Sequence, residues 1–190
     1  AIGQYALRLN VTGYQNTAVG YKALDANTTN NNVAVGKHAL LLNTTGTHNT
    51  ALGTGTLASN TTSNNNTAVG ISALAVNTAA SNTAVGSFSL DANTSGARNS
   101  AFGDAAGGSN TTGSDNAAFG SFAFTVNTTG AQNTACGGYS LNKNTTASAN
   151  TAVGSLSLFE NTTGTRNTAV GHLSLDANTT ANDNTAIGHA

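Results

Sequence analysis

The stretch Asn16-Thr17-Ala18-Val19-Gly20 returns, lightly edited, from one end of the chain to the other, and its spacing decides the fold. The Gly that closes it falls at 3, 20, 36, 53, 70, 86, 103, 120, 137, 154, 171 and 188, so successive intervals are 17 residues except for two of 16. A fixed period of this kind marks a repeat architecture in which each unit buries its face only against its neighbours. Around it the repeat reads N-T-A-V-G-x-x-A-L-x-x-N-T-T-G-x-x. The short intervals lose their residue within Asn27-Thr28-Thr29-Asn30-Asn31 and Asn77-Thr78-Ala79-Ala80-Ser81, where other copies carry N-T-T-G-x-x. Length changes collect at turns, so a turn is expected there.

The position before the Val column is Ala in all twelve copies, which implies steric confinement. The Val column itself (Ile2, Val19, Val35, Leu52, Val69, Val85, Phe102, Phe119, Cys136, Val153, Val170, Ile187) is apolar throughout and reads as core. Four residues after each Gly stands Leu, except at Gly107 and Phe124; the lapse at Gly107 is expected to be filled by Phe102, Phe119 and Phe124.

Seventeen residues holding a Gly, a β-branched Val and an N-T-T-G turn leave no room for two helices. Short strands with Asn and Gly at the corners fit better. The expected fold is all-β: a parallel β-solenoid of about 17 residues per coil and about 11 coils. With no Pro in the chain, every strand is free to donate to its neighbour. The two Asn columns, one starting at Asn16 and the other at Asn10, are placed to stack as side-chain ladders along the axis. Apolar residues two after Gly (Tyr5, Phe88, Phe122, Tyr139, Leu156, Leu173) do not fit inside so narrow a coil, so they or the Val column are expected to face another chain. The chain opens and stops in mid-repeat, at Ala1-Ile2-Gly3 and Ile187-Gly188-His189-Ala190; the expectation is one repeat domain over 1–190, cut from a longer chain.

Composition narrows the function. Charged residues are 7% and the net charge is -1, with the six cations scattered, so no basic footprint for nucleic acid exists. No apolar run approaches the ~18 residues of a membrane span. The single Cys136 excludes an internal disulfide and, in the Val column, is expected to be a buried small residue.

Catalytic chemistry finds little support. Asp25, Asp91 and Asp176 share one column in distant coils, so no acid and base are paired. His172 and His189 share a column in adjacent coils but lack a third metal ligand. Gly103-Asp104-Ala105-Ala106-Gly107-Gly108 lacks the Gly-Lys-Ser/Thr of a phosphate loop. No catalytic, metal or cofactor-binding residue is assigned, and no cofactor is expected. The Asn-x-Thr pattern fits the glycosylation rule, yet a turn that needs Asn then Thr creates it automatically. One row is a candidate ligand-facing or ice-facing ladder: Thr28, Thr44, Thr61, Thr78, Thr94, Thr111, Thr128, Thr145, Thr162 and Thr179.

Asn66-Thr67-Ala68-Val69-Gly70 with Ala73-Leu74, and Asn161-Thr162-Thr163-Gly164 leading into Asn167-Thr168-Ala169-Val170-Gly171, resemble the repeats of bacterial surface and phage tail-fibre proteins. They are also similar to the head repeats of trimeric autotransporter adhesins. The resemblance implies a left-handed β-roll, a parallel homotrimer, an extracellular location on a cell surface or virion, and contact with a host or neighbouring surface, including its glycans. The function expected is a non-enzymatic fibrous, adhesive module; the alternative is an ice-binding β-solenoid.

Overall fold

The computed structural model describes residues 1–189 and is an all-β parallel solenoid. Eleven strands of three residues each, from β1 (Thr17–Val19) through β4 (Thr67–Val69), β5 (Thr83–Val85), β6 (Ser100–Phe102), β7 (Ala117–Phe119), β8 (Thr134–Cys136) and β9 (Thr151–Val153) to β11 (Thr185–Ile187), form one sheet in chain order. The register is the repeat itself: Ala101 pairs Ala118, and Phe102 pairs Phe119. Equivalent residues therefore stack on one another at the ~4.8 Å separation of sheet strands.

Each coil leaves its strand through the Gly. Gly103 has φ +138°, and a Cβ there would lie 2.6 Å from the backbone of Gly120 in the next coil, so close stacking admits no side chain. Two turns follow, closed in the coil of Gly20 by Ala23 N–H to Gly20 O (3.3 Å) and Asn27 N–H to Leu24 O (3.2 Å). Three columns per coil sit in the left-handed region: those of Tyr5, Leu7 and Gln15, with φ of 61°, 52° and 56°. A β-branched side chain is strained there, and none of the three columns contains Val, Ile or Thr. That explains why the buried column is Leu rather than Val or Ile.

The interior is divided. On one side the strand Ala faces the Leu column, both buried along the rod from Ala18 to Ala169 and Leu24 to Leu158, as at Ala68 and Leu74. On the other side lie the two Asn columns, buried from Asn27 to Asn167. Backbone N–H groups of one Asn column bond to the Oδ1 one coil earlier, as Asn99 does to Asn82 (2.9 Å). In the second column amide bonds to amide, as Asn127 Nδ2 does to Asn110 Oδ1 (2.7 Å). Hydrogen bonding thus satisfies an interior too narrow to be filled by hydrocarbon.

Two expectations are corrected. Strand alternation turns Ala inward and leaves the Val column outside, with Leu52 46% and Phe119 40% exposed, because the space behind the sheet is already occupied by Leu. Cys136, in that column, is exposed as well. Gly107 is flanked by the buried Phe124 and by Leu90, whose Cδ2 would be 3.0 Å from a Cβ at 107. Phe102 and Phe119 are outside and fill nothing.

Candidate functional site

The sheet presents two outward rows, one before and one after the buried Ala. The first carries Thr17, Thr50, Thr67, Thr83, Thr134, Thr151, Thr168 and Thr185, interrupted by Val33, Ser100 and Ala117. No hydroxyl in this row bonds within the chain among the described residues. The second is the Val column, and near mid-rod it carries Phe102 and Phe119, whose rings stack at 5.0 Å with 7° between planes. Around the Gly corner a second pair, Phe122 and Tyr139, stacks at 5.2 Å. In-register pairing causes both stacks, since like residues stand one coil apart.

The candidate row Thr28 to Thr179 lies elsewhere, on the amide corner. Thr28, Thr44, Thr78, Thr94, Thr111, Thr128, Thr145 and Thr162 each donate Oγ1–H to the Thr carbonyl of the next coil, at 2.8 to 3.1 Å. Their hydroxyl protons serve stacking and are not free to meet a ligand. The adjacent sequon amides from Asn27 to Asn161 are buried inside the ladder.

Charges also pair coil to coil. Arg8 grips Asp25 through Nε and Nη2 (2.8 and 3.1 Å), Arg98 grips Asp115 (2.6 and 2.9 Å), Lys143 meets Glu160 (2.7 Å), and Arg166 grips Asp183 (2.6 and 2.9 Å). The guanidinium hydrogen bonds hold Asp115 and Asp183 below the usual carboxylate range. Partial burial pushes Asp91 up. Asp25, Asp91 and Asp176 remain far apart along the rod, as their spacing requires. His172 Nδ1 and His189 Nε2 approach to 3.1 Å, and no group of three potential ligands surrounds them among the described residues.

Sequence reasoning puts the strand Thr outward or at the edge but does not single it out as a candidate ligand face, although its signal, Thr two residues before Val in a strand, is present. No helix of the described residues is long and apolar enough to cross a membrane. Compared with known families, curated proteins and solved structures, the chain matches none.

Proposed function

We propose that the chain is a non-enzymatic structural and adhesive rod, the shaft or head of a fibre carried outside a bacterial cell or on a virion. Its work is to hold a repeated surface rigidly and to make many weak contacts with a host or neighbouring surface, glycans included. The observation that carries this reading is the outward apolar row on one unbroken sheet, with Leu52, Phe102, Phe119 and Val153 at least 36% exposed. Contiguous apolar surface of this kind is normally covered. A parallel homo-oligomer, with three copies sharing the seam, covers it along its whole length and keeps the free flanks for contact.

Light scattering and sedimentation of the purified protein test this. Three copies are expected, and replacing Phe102 and Phe119 with Ser is expected to release monomers whose circular dichroism is unchanged. A stable monomer of the unaltered protein overturns the oligomer.

A second reading, ice binding, is favoured by the free hydroxyls of the strand Thr row beside branched methyl groups on a regular sheet. The aromatic pair at mid-rod interrupts that regularity and weighs against it. Absence of thermal hysteresis and of any effect on ice recrystallisation removes this reading.

A further inference from the structure

The amide corner is not uniform along the rod. In a 17-residue coil the second-column Asn gives one Nδ2 hydrogen to a carbonyl three residues on and the other to the preceding Asn: Asn110 Nδ2 reaches Gly113 O at 2.9 Å and Asn93 Oδ1 at 2.8 Å. In the 16-residue coil from Gly70 to Gly86 the missing residue pulls the carbonyls inward. Asn77 Nδ2 then bonds Ala79 O, two residues on, at 2.6 Å and gives nothing to Asn60. Asn60 Oδ1 is left as the one buried side-chain polar atom without a partner among the described residues.

Two more links fail at the same level. Thr111 donates both its N–H (2.9 Å) and its Oγ1–H (2.8 Å) to Thr128 O. Thr61 donates neither to Thr78 O, which is taken instead by Ser63 Oγ at 2.5 Å. The other short coil behaves alike: Asn27 Nδ2 turns to Thr29 O (2.8 Å), and Asn10 Oδ1 accepts the Gly13 N–H (3.1 Å) but no ladder bond. Among the described residues Thr28 O is reached only by Thr12 Oγ1, at 3.4 Å. Beyond each short coil the stacking is regular, since Thr78 N–H and Oγ1–H bond Thr94 O at 2.8 and 3.0 Å. The sheet is also continuous, with β4 and β5 in register and Asn82 N–H on Asn66 Oδ1 at 2.9 Å.

We infer that each 16-residue coil is a joint in the rod, at which the amide corner opens toward the preceding coil while the sheet holds. The joints divide the rod into runs that move as units, and bending or local opening starts at Asn60–Asn77 and Asn10–Asn27. Local opening free energies follow the bonds that must be broken, and three of these are absent at one corner.

Hydrogen exchange read by NMR tests this on the unaltered protein. The Thr61 amide is expected to exchange at least tenfold faster than those of Thr94 and Thr111. Equal protection of Thr61 and Thr111 overturns the joint. Inserting one Gly between Ala79 and Ala80 restores a 17-residue coil; it is expected to slow Thr61 to the rate of Thr111 and to raise Tm by roughly 2–4 °C. The same insertion between Gly113 and Ser114 of a regular coil is expected to lower Tm. If both insertions lower Tm alike and Thr61 stays fast, coil length does not govern the joint and the inference fails.

Discussion

Each coil carries Thr in two places, and the two do different work. Thr128, on the amide corner, donates its hydroxyl to Thr145 O at 3.0 Å and helps bind one coil to the next. Thr151, on the sheet, keeps its hydroxyl free beside Val153 on the outer wall. The chemistry of the side chain is the same in both rows, so the backbone beneath it decides whether the hydroxyl is consumed in stacking or left free. Amide corner and sheet ladder both tie coil to coil, but only the corner uses its Thr hydroxyls to do so.

The difference is broken most severely inside the corner. Replacing Asn127 with Leu strands Asn110 Oδ1 and the Gly130 N–H, which Asn127 now satisfies at 2.7 and 3.0 Å, and takes from Asn144 Nδ2 its acceptor at 3.0 Å. A loss of roughly 3–5 kcal/mol is expected in denaturant unfolding, since each buried orphan costs about 1–3 kcal/mol. A matched pair of Thr→Val changes sharpens the contrast: Thr128→Val is expected to cost about 1 kcal/mol for one hydrogen bond. Thr151→Val should stay within about 0.5 kcal/mol of the unaltered protein. Equal losses at the two sites would show that the rows are energetically alike.

Acid gives the smallest effect. Asp115 and Asp183 have folded-state values below the ordinary carboxylate value of 3.8, because Arg98 and Arg166 hydrogen-bond them. Their contribution is full above that value and is lost as pH falls through the lower, folded one. Asp91 has the opposite sign: burial raises it, so its contribution is full below 3.8 and lost as pH rises through the higher value. Asp91→Asn is therefore expected to increase Tm slightly at pH 7, whereas Asp115→Asn lowers it slightly. Both pairs at Asp115 and Asp183 are exposed and screened, so these shifts should shrink further in high salt.

Much of the architecture was legible from spacing. The period placed the coils, the invariant Ala marked confinement, and the Asn columns announced ladders that Asn110 and Asn127 form. The face of the Val column is not fixed by its composition, because an apolar row looks alike whether it packs inward or faces outward. A three-residue strand is too short for alternation to identify the buried side by itself, and Ala occupied that side. The left-handed columns were visible only as an absence of β-branched residues at positions such as Leu74 and Arg98, whose φ values are 51° and 57°.

The sequence by itself determined the period, the parallel register and the stacking of like on like, because a repeated chain can pair in register only with its own next copy. The tertiary structure alone decided which rows are inside and which hydroxyls are free. Those depend on how a coil closes around an interior that Ala, one Leu and two amides fill, with Phe124 admitted only beside the space left by Gly107.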